Sequence, residues 1–145
     1  IEGYNGRLDA IQAAVLRLKL KRLADWNETR RENAAHYTEH FSKVPEVELL
    51  EEADFAKSVY HLYVIMVDDR DGLQKHLGEK GIGTGLHYPI PLHLQKAYAD
   101  YGFKRGDFPN TERNTSRMLS LPMFAELTHD QIEYVVECVK EFLKS

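Results

Sequence analysis

Three short segments carry residue types whose spacing permits chemistry. His36-Tyr37-Thr38-Glu39-His40 spells H-x-x-E-H, the pattern of one zinc-protease class. On a helix both imidazoles fall on one face, an arrangement that zinc accepts. A catalytic zinc also wants a third protein ligand and an open position. No local pattern downstream marks a Glu or His for that part. Arg30, Arg31, Glu32 and Asn33 alongside read as a solvated helix face, so no metal is expected. The second segment is Gly3-Tyr4-Asn5-Gly6-Arg7, at the mouth of a long helical stretch. A cation in a first helical turn opposes the helix dipole at a cost of ~0.3–1 kcal/mol, and an anion brought from elsewhere reverses that sign. Asn5 adds an amide donor beside free backbone N–H groups, and Gly6 permits close approach. Half of an anion site is one reading, and a simple Asn-Gly turn before a helix is the other. The third segment is His87-Tyr88-Pro89-Ile90-Pro91-Leu92-His93. Two prolines stiffen the backbone past a strand end, where α/β folds place sites. Two imidazoles and a phenol there suit a ligand with phosphates and hydroxyls. A structural turn with its Tyr packed inward is the alternative.

Other chemistries lack their signatures. The sequence holds no G-x-S-x-G, no G-x-G-x-x-G and no P-loop. Gly81, Gly83 and Gly85 alternate, but they enter a strand rather than a helix, which is the wrong geometry for a phosphate cradle. Cys138 lies beside an apolar helical stripe with no His near it in sequence, as an inert, partly buried thiol does. Leucines separate Arg17, Lys19, Lys21 and Arg22, so that basic cluster reads as a solvated face.

These segments need elements to hold them. Leu8, Ile11, Val15 and Leu18 form one helical stripe, Leu16, Leu20 and Leu23 a second, and Ala34, Tyr37 and Phe41 continue the period. The pattern predicts a helix over 8–41, about 50 Å long if unbroken. Two stripes imply burial on two sides. One side belongs to this chain's own body, and the other to a second domain or subunit. The alternative is a break near Asp25-Trp26-Asn27, with both halves packed locally. Beyond Pro45 come a short strand at 47–50 and a strand over 60–67 that is apolar on both faces and therefore covered on both. A turn at 68–72 leads into a helix bearing Leu73 and Leu77, which Gly81 ends. A strand over 82–88 follows, making a strand–helix–strand unit. Leu94, Ala97, Tyr98 and Tyr101 make a helical face ended by Gly102. A short helix over 112–119 opens near Pro109, and Ser120-Leu121-Pro122 is extended. Thr128 and Gln131 form a capping box for the last helix, whose apolar stripe runs from Ile132 to Leu143. The fold class is α/β in an α+β-like small domain: a long N-terminal helix, a small sheet and a C-terminal helix.

Composition narrows the function classes. The 145 residues, 43% hydrophobic and 29% charged, suit one globular domain. Residues 1–41 are expected to form an entry segment and interface helix, and 42–145 the body. The net charge of −4 argues against a nucleic-acid binder. The longest apolar run, 62–67, is far below the ~20 residues of a membrane helix. A single cysteine suits a reducing cytoplasm. The first residue is Ile rather than Met, so the chain is read as a piece of a longer protein.

Taken together, GYNGRLDAIQAAVLRLKLKRL, SVYHLYVI, GIGTGLHYPIPLH, GDFPNTE and LSLPMFAELTHDQI resemble, in order, landmarks of the C-terminal domain of the DegT/StrS family. That family comprises nucleotide-sugar aminotransferases dependent on pyridoxal 5'-phosphate. The resemblance implies the small domain of a fold-type I enzyme whose larger N-terminal domain carries the cofactor lysine, in a homodimer that shares each active site. It implies that Asn5 reaches the partner's cofactor phosphate with Arg7 near it. It also implies that His87 and Tyr88, with His93 as a further candidate, touch a nucleotide-sugar substrate, and that glutamate is the amino donor. Gly6 stands where many members have a larger residue. None of the ten lysines lies in the family's S-F-x-x-x-K context, so this polypeptide alone is expected neither to hold the cofactor nor to transaminate. A non-catalytic dimerisation module and the domain of a related sugar dehydratase are the remaining alternatives.

Overall fold

The computed structural model describes residues 4–6 and 8–144. Helix dominates the first third, as the leucine spacing predicts, with one turn wound differently. Helix α1 spans Ala10–Lys19, a single 3-10 turn follows at Leu20–Arg22, and α2 spans Leu23–Phe41. The helix therefore runs on through Asp25-Trp26-Asn27, and the tightened turn comes three residues before them. The two halves differ in burial. Among the described residues α1 buries none, whereas α2 buries Ala34, Tyr37 and Phe41, spaced by three and four along one face.

The sheet has three strands, β1 (Glu48–Leu49), β2 (Tyr63–Met66) and β3 (Met118–Leu121), in that order. Both pairings are antiparallel, with Leu49 opposite Ile65 and Ile65 opposite Leu119. β2 is central, and Tyr63, Ile65 and Met66 on it are buried, as its apolar sequence requires. The strand expected over 60–67 starts late for a local reason. Tyr60 has φ +45°, outside the extended region. Arg30 Nη1 donates to the carbonyls of Tyr60 (3.3 Å) and Met123 (3.0 Å), drawing the Tyr60 carbonyl away from the ladder.

The strand expected over 82–88 is also corrected. It reduces to one bridge, Gly85 opposite Ser120, on the far side of β3. Gly83 and Gly85 lie at its middle and Pro89 ends it, which leaves little side chain to pair across strands. Helix α3 (Arg70–Glu79) joins β2 to this bridge, and Gly81 beyond it has φ +78°, the left-handed end that glycine accommodates. Two 3-10 stretches, Leu92–Leu94 and Lys96–Tyr101, stand where a helical face was expected, and Gly102 (φ +75°) stops the second. Helix α4 (Pro109–Arg117) gives way to β3 directly. Helix α5 (His129–Leu143) begins with the predicted box: Thr128 Oγ1 accepts from Gln131 N, and Gln131 Oε1 accepts from Thr128 N.

The core lies between the sheet and helices α2, α3 and α5. Phe41, Ile65, Leu73, Leu77, Leu119, Ile132 and Val139 are wholly buried there. Tyr37 stacks on Tyr63 with ring centroids 4.8 Å apart, and its hydroxyl donates to Pro122 O at 3.2 Å. Burial pushes the Tyr63 phenol up to about 12. Cys138 is buried on α5, inside the stripe rather than beside it. No helix among the described residues is long and apolar enough to cross a membrane.

Candidate functional site

The loop after the Gly85 bridge is the best-defined part of the candidate site. Gly85 and Ser120 exchange both backbone hydrogen bonds, at 3.0 and 2.9 Å. That places the loop at the free edge of β3. His87 folds back over this bridge, with Nδ1 2.9 Å from the buried Ser120 Oγ. A side chain at position 85 would stand 2.6 Å from His87 Cε1, so only glycine leaves room for the ring. The imidazole is thus oriented on one side by a hydroxyl and on another by the lack of a Cβ. Tyr88 follows through a cis peptide bond and is 71% exposed. The inward-packed turn considered for this tyrosine is not what forms.

His93 sits deeper than its neighbours. Its Nε2 lies 3.0 Å from Glu112 Oε1, and its side chain is only 7% exposed. Glu112 also accepts from Gly106 N at 2.7 Å. The Gly106 amide and His93 hold this carboxyl below its ordinary value. The pair fastens the loop to α4. Beside it, Tyr98, Tyr101, Phe103 and Phe108 line an open apolar cleft of about 370 Å³. A second cleft, about 650 Å³, lies where α1 meets α2, with Lys19, Trp26, Arg30 and His61 on its walls. Neither cleft was apparent from spacing: the second is assembled from segments distant in sequence, and the first from the single stretch 92–111, which opens in 3-10 turns and loop rather than as one helix.

The entry segment is less closely tied to the body. Tyr4, Asn5 and Gly6 are exposed, and a side chain at position 6 would meet nothing within 4 Å. Arg7 lies outside the described residues. The helix starts at Ala10, with Asp9 as its N-cap accepting from Gln12 N at 2.8 Å. Asp9 thus already satisfies one of the amides that an anion was expected to meet. Asn5 remains as the polar group before the cap, in open surroundings that a phosphate can enter. An exposed side-chain amide such as that of Asn5 is a group that can meet the phosphate of pyridoxal phosphate. For the reactive end, the described lysines offer no buried amine: Lys43, Lys57, Lys75 and Lys80 pair with surface carboxylates.

His36 and His40 do share a face of α2, with ring centroids 4.8 Å apart. Burial, then the imidazoles of His129 and His40, hold His36 below the ordinary histidine value. No local pattern in the sequence marked a downstream residue for this pair; the fold brings one to it. Glu133 of α5 faces it, with Oε1 3.7 Å from His36 Nε2. His129 and Glu133 repeat the i, i+4 spacing of His36 and His40, which is the signal that was open to sequence reading.

Comparison with known proteins completes the description. A family model described as the DegT/DnrJ/EryC1/StrS aminotransferase family matches residues 1–140. The chain is 43% identical over 140 residues to the erythromycin biosynthesis sensory transduction protein EryC1 of Saccharopolyspora erythraea, covering 97% of this chain and 38% of that protein. It is 42% identical over 141 residues to dTDP-3-amino-3,6-dideoxy-alpha-D-galactopyranose transaminase of Aneurinibacillus thermoaerophilus, with 97% and 38% covered. Among solved structures, DesV of S. venezuelae in complex with a ketimine intermediate matches with a TM-score of 0.90 and 37% identity. That match covers all of this chain and 39% of DesV. The chain thus spans about two-fifths of the length of these relatives.

Proposed function

The chain belongs to the DegT/DnrJ/EryC1/StrS aminotransferase family, and on that premise we propose that it is the C-terminal domain of an aminotransferase acting on a keto-sugar nucleotide. The family depends on pyridoxal phosphate, which when bound supplies an electron sink for moving an amino group. The observation that carries the reading is the match of the whole chain to two-fifths of DesV. The remaining three-fifths of such a protein is where a cofactor lysine would reside.

In this reading the domain binds and orients. Asn5 and Arg7 hold the cofactor phosphate of a partner subunit in a homodimer. His87, fixed by Ser120 and Gly85, presents its outer ring edge to the sugar nucleotide, and Tyr88 adds an exposed phenol. His93 supports that wall from beneath, through Glu112 and the Gly106 amide. Glutamate serves as the amino donor, and the setting is cytoplasmic. Asn5→Ala in the full-length parent should weaken cofactor affinity while leaving the fold intact. Unchanged affinity would remove the role assigned to Asn5. The isolated chain, mixed with pyridoxal phosphate, should give only the spectrum of the free aldehyde.

A non-catalytic interaction module is the second reading. It is favoured by the exposed apolar face of α1 and by relatives named as a sensory transduction protein and a pleiotropic regulatory protein. Amino transfer by the full-length parent separates the two readings.

A further inference from the structure

Helices α2 and α5 pack against each other, and one end of their seam is unusually rich in metal-ligating groups. His36 and His40 project from α2, and His129 and Glu133 from the first turns of α5. The ligand atoms of His36, His40 and Glu133 all lie within 4.8 Å of one another. His36 and His129 stack with centroids 4.3 Å apart. His36 Nε2 is buried and has no hydrogen-bond partner among the described residues, an unfavourable state unless something meets it. We propose that His36, His40 and Glu133 form a binding site for a divalent transition-metal ion, zinc foremost, which clips α2 to α5.

The chemistry of the set selects the metal. Two imidazoles and one carboxylate suit zinc, cobalt or nickel, whereas calcium and magnesium prefer all-oxygen sites. Tetrahedral zinc with bonds of ~2.0–2.1 Å needs ligand atoms about 3.4 Å apart. Side-chain rotation closes the present spacing, because both helices already stand at contact distance. Their backbones are fixed below the site by Tyr37 and Phe41 on α2 and by Ile132 and Val136 on α5, all buried. The Glu133 side chain is 54% exposed, so an ion enters from solvent, and the fourth position falls to water or to His129. The proposal is independent of the aminotransferase reading. It also accounts for the H-x-x-E-H segment without a protease: Glu39 of that motif pairs with Lys43 and takes no part.

The test uses the intact protein, purified without an affinity tag and stripped of metal. Zinc chloride is titrated calorimetrically, and cobalt chloride is followed by visible d–d absorption. The site predicts one equivalent of zinc, intense cobalt bands and a raised melting temperature with zinc. His40→Gln and Glu133→Gln should each weaken zinc affinity at least about tenfold with an unchanged far-ultraviolet spectrum, because neither residue belongs to the core. Glu137→Gln, one turn along α5 and exposed, should bind zinc as the unaltered protein does. Calcium chloride should not compete. Absence of saturable zinc binding, or equal affinity in the unaltered protein and both ligand variants, would overturn the proposal.

Discussion

Ser120 and Gly85 matter to the candidate site because they aim a residue they do not resemble. The Ser120 hydroxyl is buried and holds His87 Nδ1 at 2.9 Å. A neutral hydrogen bond of this kind is worth roughly 0.5–1.5 kcal/mol net. In the full-length parent, Ser120→Ala should therefore raise KM for the sugar nucleotide about three- to tenfold with a smaller change in kcat, as steady-state kinetics would measure. Glu112 allows a prediction in acid. The Gly106 amide first, and His93 after it, depress its folded-state pKa. A depressed carboxyl contributes stability above its unfolded value, near 4.3, and loses it as pH falls through the lower folded value. The Gly106 amide resonance should thus shift at a lower pH than an ordinary glutamate beside it would give. In Glu112→Gln that step should vanish. Sequence reading nominated His87, Tyr88 and His93 and gave no sign of Ser120 or Glu112 as their partners. Each of those partners comes from another segment, 33 and 19 residues away, and only the folded chain brings them in.

Among the elements, those with complete local signals were legible. Helix α5 was fixed by the Thr128–Gln131 box and a broad apolar stripe, and both are present. Thr128→Ala removes a cap, which costs about 1 kcal/mol. A lower melting temperature in calorimetry should show it, with helix content largely kept. Gly81 and Gly102 likewise stopped their elements with positive φ, as expected of glycine at such ends. The strand over 82–88 failed because its apolar residues are interrupted by glycines, and only Gly85 reaches a partner. The late start of β2 depends on Arg30 seizing backbone carbonyls from across the fold. No residue near Tyr60 in sequence announces that contact. The winding of the long helix was half legible. Leucine spacing gave its extent, while the 3-10 turn at Leu20–Arg22 has no composition marker.

On the scale of the whole molecule, the first helix is the feature that asks for something beyond this chain. Ile11 is 79% exposed, and Leu18 and Leu20 nearly 70%. No residue of α1 is buried among those described. The two stripes were expected to bury one side on this chain's own body; instead both sides of α1 stay exposed, and exposed apolar surface of this kind suits an interaction surface. If α1 holds the proposed homodimer together, Leu18→Asp should halve the mass of the full-length parent in sedimentation while its circular dichroism stays unchanged, since Leu18 is 69% exposed in this domain. The proposed function holds that the active site is shared, with Asn5 of one subunit serving the cofactor of the other. The direct measurement is complementation. One variant of the parent carries Asn5→Asp, which sets a negative charge against the phosphate; the other lacks the cofactor lysine of the N-terminal part. Each should be nearly inactive alone. Random pairing in a two-fold dimer gives half mixed dimers with one intact site each, so the mixture should recover about a quarter of the unaltered activity. A mixture no more active than its separate components would contradict the account.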